Sequence, residues 1–271
     1  MKRLLLLALA LLVCACNRNA LTREEAYEAL DESSIESQSN ALTATPVEIS
    51  THFTIGGAVQ NAAAELRAFL AAELPCANVT VQGSTVTTEW GAAGGSCAYK
   101  GQVFSGTTSV TIIRVDAATV DVTHTFIDFS NGRVKVNGGA QVTWSSANFS
   151  RHVVHDLTWT RLRDNRTGHG TGDRTQVLMD PALGIAGGIR IDGNRRWTGE
   201  RGAWDLAITA VEVRPQDPVP QAGIYTLTTP DNKVVTLSFS RLSADVIRVT
   251  IKGPKHDFSF NVTSIGAIQD V

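Results

Sequence analysis

The chain has 271 residues, of which 43% are apolar and 18% are charged, and its 24 basic residues nearly balance its 26 acidic ones. This composition is typical of a folded protein with an apolar core, and it excludes a disordered chain, a collagen-like repeat, a multi-span membrane protein and a polybasic nucleic-acid-binding protein. The length allows one large all-β domain or two smaller domains.

The N-terminus has the pattern of a secretory signal. Lys2 and Arg3 precede an unbroken apolar run over residues 4–13. A positive start followed by a short apolar run is typical of a signal peptide, and this run is too short to span a bilayer as a stable helix.

Residues 13–16 read Val-Cys-Ala-Cys and resemble the lipobox of bacterial lipoproteins. In that family the last cysteine is diacylated, the signal is cut just before it, and the new amino group is usually acylated as well. The resemblance implies that residues 1–15 are a removed signal peptide and that Cys16 is the lipidated N-terminus, with Cys14 a less usual residue at its place in the box. The alternative is a plain secretory signal cut near Ala15, which leaves Cys16 as a free thiol.

The resemblance also implies a location in the cell. Two or more acyl chains hold a protein stably at a membrane, so we expect the mature protein to be anchored through acyl chains on Cys16 and to fold in water. Asn17 follows the cysteine, in place of the Asp that retains many such lipoproteins at the inner membrane. The resemblance therefore favours the outer membrane of the bacterial cell envelope, with the folded body facing the periplasm or the cell surface.

The charge of the mature chain is concentrated near its start. Loss of Lys2 and Arg3 with the signal changes the formal charge from −2 to −4. Six acidic residues fall in one short segment: Glu24, Glu25, Glu28, Asp31, Glu32 and Glu36. From Asn40 onward acidic and basic residues are equal in number, so the body carries no electrostatic footprint for nucleic acid or anionic lipid.

The cysteines predict one disulfide. Once Cys14 leaves with the signal and Cys16 carries lipid, Cys76 and Cys97 remain as a pair. An even number of cysteines in an oxidising compartment indicates a structural bridge. The alternative, a redox or metal-binding pair, lacks both the CxxC spacing and a nearby histidine.

Two helices are predicted near the N-terminus. Residues 22–25 (Thr-Arg-Glu-Glu) have the spacing of a capping box and begin a helix over about residues 22–37, followed by a polar tether through residues 40–43. A spacer or a docked helix is favoured over a partner-binding helix. A second helix follows the periodic apolar residues from Val59 to Leu74, is stopped by Pro75, and should pack on the core.

After Cys76 apolar residues alternate with polar ones, which predicts antiparallel strands with one apolar and one polar face. Hairpin turns are predicted at Asn131-Gly132, at Asn137-Gly138-Gly139 and at Asp192-Gly193-Asn194. No long helical pattern interrupts the series, which excludes a βαβ architecture. The predicted fold class is mainly β: an antiparallel meander, sandwich or barrel-like sheet with two N-proximal helices.

Four segments follow from these patterns. They are the signal peptide (1–15), the lipid anchor with acidic helix and tether (16–50), the antiparallel β body with one packed helix (51–214) and a C-terminal β meander (215–271). Prolines at 215, 218 and 220 form a candidate hinge, but a continuation of the same sheet is favoured. The second helix can cover the apolar face of only a few strands. The rest of that face must therefore be covered by the sheet folding on itself or by a ligand in a groove, and folding of the sheet on itself is favoured.

The sequence contains no GxSxG, HExxH, P-loop or Rossmann pattern that would place a catalytic site or cofactor. His124 and His155 are weak candidates for metal ligands, because each occupies an apolar position of its strand. His152 is not a partner for His155, since strand residues three apart face opposite sides. Satisfied or rim histidines are the favoured interpretation, so no metal site and no cofactor is predicted.

Three further features have both a binding and a structural interpretation. The polar, glycine-rich residues 164–173 could wrap calcium, but a hairpin tip is favoured because alternating acidic ligands are missing. Eight arginines could meet an acidic or phosphorylated partner, but nearby acids favour solvated pairing. They are Arg161, Arg163, Arg166, Arg174, Arg190, Arg195, Arg196 and Arg201. The five tryptophans could form a sugar-stacking platform, but packing is favoured.

Together these observations predict a lipid-anchored cell-envelope lipoprotein with a non-enzymatic binding, scaffold or envelope-maintenance role. Its partner would be an envelope protein or a hydrophobic ligand. The alternative is a carrier that holds a lipid or other hydrophobic ligand in a groove of the sheet. An enzyme is disfavoured, because no nucleophile and base can be placed together.

Overall fold

The computed structural model describes residues 23–54, 61–94, 96–99, 101–214, 217–253, 257–263 and 268–270. The predicted signal peptide, the residues that resemble a lipobox and Cys16 lie outside these residues. So do Val59, at the predicted start of the second helix, and Pro215 in the candidate hinge. Among the described residues, no helix is long and apolar enough to cross a membrane.

Two helices precede the sheet in the part of the chain that the structure describes, α1 (Arg23–Thr54) and α2 (Ala62–Glu73). The tether predicted at residues 40–43 is wrong, because α1 continues through it without a break. Two polar side chains of this segment donate hydrogen bonds within the helix: Asn40 Nδ2 donates to the carbonyl oxygen of Glu36 at 2.9 Å, and Thr43 Oγ1 donates to that of Asn40 at 3.1 Å. Both side chains are buried, so they belong to a docked helix face and not to an exposed linker.

Fifteen strands follow. They are β1 (Asn78–Gln82), β2 (Thr85–Trp90), β3 (Cys97–Tyr99), β4 (Gln102–Arg114), β5 (Thr119–Ser130), β6 (Val134–Ser145), β7 (Ser150–Arg161), β8 (Arg166–Leu178), β9 (Ile189–Gly199), β10 (Gly202–Arg214), β11 (Asp217–Thr228), β12 (Val234–Arg241), β13 (Val246–Lys252), β14 (Asp257–Thr263) and β15 (Ile268–Asp270). A short 3₁₀ helix, Gly184–Gly187, lies between β8 and β9.

The strands form one antiparallel meander, as the alternating pattern predicts. Each strand pairs with the next in sequence, except that β2 pairs with β4 while the short β3 pairs with β4 at its other end. The sheet is not closed, since β1 and β15 do not pair in the part of the chain that the structure describes. Strands β10 and β11 pair directly from Asp205 to Arg214, so the C-terminal strands continue the same sheet.

Only one of the three predicted glycine turns is a turn. Asn131-Gly132 joins β5 to β6, but residues 137–139 lie inside β6 and residues 192–194 lie inside β9. Gly138 has a φ of +122°, and a Cβ there would lie 2.3 Å from the carbonyl oxygen of Asp156 on β7. The glycine is required by the close approach of the neighbouring strand, which a sequence pattern does not distinguish from a turn.

The core beside α2 is aromatic and carries the disulfide. Phe104 stacks on Phe129 with ring centroids 5.5 Å apart, and Trp90 packs against both rings. Cys76 and Cys97 are joined in a disulfide with a Cα–Cα distance of 5.3 Å, in agreement with the cysteine count. The bridge ties the end of α2 to β3.

Candidate binding site beneath helix α1

Helix α1 runs across one face of the sheet, which we call the inner face. Near its start, Lys233 Nζ in the turn between β11 and β12 donates to Glu25 Oε1 at 2.5 Å. Near its end, Ser50 Oγ lies 2.9 Å from His124 Nε2 on β5. The helix therefore spans the strands from β12 to β5, and it is the main cover of the inner face. The sequence argument, which favoured a sheet folded on itself, did not predict this cover.

The contact between α1 and the sheet is unusually polar. Its buried polar side chains are those of Glu32, Glu36, Ser39, Asn40, Thr43 and Ser50. Its buried apolar ones are those of Ala29, Ile35, Leu42, Val47 and Ile49. A helix that packs on a sheet usually does so through an apolar stripe, whereas about half of the buried side chains that the structure describes on α1 are polar. The interface is therefore built to be specific more than to bury apolar surface.

Ion pairs hold the first half of α1. Asp31 receives hydrogen bonds from Arg161 Nη1 at 2.7 Å and from Arg166 Nη1 at 2.6 Å, and the bond with Arg161 lowers the pKa of its carboxyl group. Arg166 also pairs with the fully buried Glu32. The sequence analysis favoured pairing of the arginines with acids near them in sequence. In the structure, Arg161 and Arg166 also pair with acidic side chains of α1.

Three alternate glycines on β8 make room beneath the helix. Gly168, Gly170 and Gly172 all face inward. A Cβ on the first would lie 2.2 Å from the ring of Trp159, and one on the last would lie 2.3 Å from the ring of His155. A Cβ on the middle one would lie 3.1 Å from Oε2 of Glu36. These residues belong to a strand, so the predicted hairpin tip at residues 164–173 is wrong except for the tight turn at its start.

The absence of side chains on β8 lets two rings from β7 and one carboxylate from α1 lie against its backbone. At the edge of this space lie Arg174 on β8, Arg195 on β9 and His155 on β7, which we call the basic cluster. Their exposed fractions are 7%, 8% and 3%. Arg174 Nη2 donates to His155 Nδ1 at 3.0 Å, which leaves the His155 proton on Nε2.

The basic cluster faces one carboxylate, that of Glu36. Oε1 of Glu36 accepts a hydrogen bond from Asn40 at 2.6 Å and lies 3.9 Å from His155 Nε2, too far for a hydrogen bond. Several buried polar atoms have no partner among the described residues: Glu36 Oε2, His155 Nε2, Arg174 Nε and Arg195 Nε. Such atoms are rare in native proteins, and here four of them lie close together.

Burial decides which members of this group are charged. It lowers the pKa of His155 to about 3, with help from the two arginines, so the ring is neutral near pH 7. It also raises the pKa of Glu36, against the opposing effect of Arg195 and Arg174. Burial and the nearby Arg195 lower the pKa of Arg174. Two guanidinium groups therefore share one carboxylate that is itself reluctant to ionise.

Arg151 on β7 is another buried guanidinium on the inner face, in addition to Arg161, Arg174 and Arg195. Arg151 has partners other than Glu36, since its Nε donates a hydrogen bond to Gln176 at 2.5 Å. Burial lowers the pKa of Arg151, and the carboxylate of Glu48 on α1 opposes this effect. It adds to the positive potential at Arg174 without offering it a partner.

An aromatic wall lies beside the basic cluster. Trp159 on β7, Trp197 on β9 and Trp204 on β10 are each at most 2% exposed, and the last two stack with ring centroids 6.1 Å apart. The indole N–H groups of Trp197 and Trp204 lack hydrogen-bond partners within the described residues. Tyr225 on β11 is also near, and burial raises its pKa. All five tryptophans are buried, so they pack as the sequence favoured and present no exposed platform for sugars.

The two histidines singled out by the sequence lie on one row of the inner face. His124 on β5 and His155 on β7 both pair across Ala140 of β6, but each ring has its own partner, Ser50 for the first and Arg174 for the second. No group of three or more His, Cys, Asp or Glu residues suited to a metal ion occurs among the residues that the structure describes.

Sequence reasoning found both halves of the site without joining them. Arg174 and Arg195 were part of the arginine group, and Glu36 was the last of the six acids. A signal for the site was present in residues 168–174, Gly-His-Gly-Thr-Gly-Asp-Arg. If these residues form a strand, its glycines lie on one face without side chains, and Arg174 lies on that same face. Comparisons with known proteins add nothing here: no family model, no curated protein and no solved structure matches this chain.

Proposed function

We propose that this protein is a lipid-anchored lipoprotein of the bacterial cell envelope and serves there as a non-enzymatic binding or scaffold module. Acyl chains on Cys16 hold it at the outer membrane, and the folded body faces the periplasm or the cell surface. The docking of α1 is the observation that supports this role best. Because α1 is docked on the sheet, the segment after the anchor is part of the folded body. A free spacer in its place would leave the body loosely tethered.

The docked helix limits how far the body can lie from its anchor. Arg23, at the start of α1, follows Cys16 by seven residues, which reach at most about 25 Å when fully extended. The ion pair of Glu25 with Lys233 ties this start to the turn between β11 and β12. The sheet is then held close to the membrane by one defined side, a geometry suited to presenting a surface to another envelope component.

The anchor is tested by replacing Cys16 with Ser in the full chain. The variant should leave the membrane fraction and lose labelling by a radioactive or alkyne-bearing fatty acid, because no thiol remains to be acylated. Replacement of Cys14 by Ser is the matched control and should change neither result. Unchanged fractionation of the Cys16 variant, with no label in the wild-type protein, would contradict the proposal.

A second candidate function is carriage of a lipid or other hydrophobic ligand on the inner face. It is favoured by the basic cluster and the aromatic wall, which lie beneath a helix held mainly by polar contacts. Native mass spectrometry of the protein extracted from its own membrane separates the two candidates. A carrier should retain a stoichiometric small-molecule mass, whereas a scaffold should retain a protein.

A further inference from the structure

We propose that the basic cluster is a binding site for the phosphate or carboxylate group of a ligand, and that Glu36 of α1 occupies this site in its absence. The inference deepens the binding function proposed above and rests on it. It names the chemistry that the inner face recognises and the residues that recognise it.

The first argument is the balance of buried charge. Arg174 and Arg195 are both buried, and Glu36 is, among the residues that the structure describes, the buried carboxylate that faces them. A buried charge without a partner is strongly unfavourable, so a site with two guanidinium groups and one carboxylate has affinity for a further negative charge. A phosphate group, with its two charges, matches the two guanidinium groups.

The second argument is the set of free donors. Arg174 Nε, Arg195 Nε and His155 Nε2 have no hydrogen-bond partners among the described residues, and all three belong to side chains at most 8% exposed. Guanidinium groups present forked N–H donors whose geometry fits phosphate and carboxylate oxygens. The neutral His155 ring adds one N–H donor without adding charge.

The third argument is the cover of the site. Glu36 packs against the backbone of β8 at Gly170, where a Cβ would lie 3.1 Å from its Oε2, and this oxygen makes no hydrogen bond among those the structure shows. It is held by Asn40 of its own helix and makes no hydrogen bond to either arginine among those the structure shows. A ligand anion that bonds both arginines would therefore replace Glu36 with better contacts, and α1 would move as it enters.

The test measures binding to the full chain in dodecyl maltoside by calorimetry. The probes are inorganic phosphate and dihexanoyl phosphatidic acid, with sodium chloride at matched ionic strength as the blank. Glu36→Gln removes the competing charge and should tighten binding of the phosphate group on the order of tenfold or more, the value of a charge-assisted hydrogen bond. Glu24→Gln, which makes the same change on an exposed residue of α1, is its matched control and should not alter binding.

Arg195→Gln is the complementary variant and should weaken binding by a similar factor. Its matched control is Arg196→Gln, the next residue on β9, which faces outward and pairs with Asp205. Without ligand, Arg195→Gln should hold or raise the melting temperature, because it removes a buried positive charge that exceeds the available negative charge. An arginine with a purely structural role would lower it. This variant decides the question alone if Glu36→Gln fails to fold.

The outcomes distinguish a lipid headgroup from a free anion as the ligand, and they distinguish failure of the site from failure of the proposed carrier function. Tighter binding of phosphatidic acid than of inorganic phosphate, lost with Arg195→Gln, assigns the site to a lipid headgroup, and equal binding assigns it to a free anion. Lipid binding that Arg195→Gln leaves intact would overturn the site while keeping the carrier function. Absence of phosphate binding in Glu36→Gln, with a lower melting temperature for Arg195→Gln, would overturn the inference altogether.

Discussion

Replacement of Gly172 by Ala tests whether the empty face of β8 is required by the ring of His155. The backbone at residue 172 does not have a positive φ, so alanine is tolerated by the main chain itself. Its Cβ, however, would lie 2.3 Å from Cε1 of His155. The ring is buried and accepts a hydrogen bond from Arg174, so it cannot move away without breaking that bond.

The expected magnitude follows from two opposing terms. Overpacking of a buried site costs about 1–3 kcal/mol. Alanine is preferred to glycine inside a strand by about 0.5–1 kcal/mol, which offsets part of this cost. The free energy of unfolding should therefore fall by about 1–2 kcal/mol, and the melting temperature should fall by about 2–4 °C for each kcal/mol in a protein of this size.

A double-mutant cycle isolates the clash. In a His155→Ala background the ring is gone, so Gly172→Ala should become neutral or stabilising, with a coupling of about 1–3 kcal/mol between the two positions. Gly170→Ala is the matched control on the same strand, because its Cβ would meet the flexible end of Glu36 at 3.1 Å and should cost little. Urea unfolding followed by tryptophan fluorescence gives all four free energies. An equal cost of Gly172→Ala in both backgrounds would refute the reasoning.

Two further predictions concern the disulfide and pH. Replacing Cys76 and Cys97 by Ser should lower the free energy of unfolding by about 3 kcal/mol, because the bridge closes a loop with a sequence separation of 21, and urea unfolding with and without reductant measures it; equal stability of the two forms would contradict this. Burial lowers the pKa of His124 to about 4, below its unfolded value of about 6.5, so the unfolded chain binds the extra proton and stability should fall as pH drops from 6.5 to 4. His124→Gln should reduce that slope in pH-dependent melting, and the slope that remains belongs to His155, whose pKa burial lowers to about 3.

The sequence alone determined the fold class, because strand periodicity is a local property. Residues such as Val120, Val122 and Phe126 alternate with polar neighbours, and one buried face per strand leaves that trace whatever the strand packs against. The second helix and the disulfide pair followed in the same way from spacing and count. The patterns that predict a signal peptide and a lipobox are also local, and they stay predictions because their residues lie outside those that the structure describes.

Only the tertiary structure decided which glycines form turns and which lie inside strands, where a neighbouring group leaves no room for a side chain. Asn131-Gly132 and Gly138 have similar local sequences, yet one is a turn and the other lies inside a strand against the carbonyl oxygen of Asp156. The same holds for residues 40–43, whose polar side chains indicate a linker unless a sheet buries them. The neighbours that settle these cases come from distant parts of the chain.

The candidate site depended on tertiary structure for the same reason. Glu36 and Arg195 are visible in the sequence as members of an acidic segment and an arginine group, but they are 159 positions apart. Their meeting requires α1 to lie across the inner face, and no local pattern encodes which face of a polar helix docks. Burial raises the pKa of Glu36, and this single carboxylate faces two guanidinium groups. Composition and periodicity determine the sheet, whereas packing between distant residues determines the site.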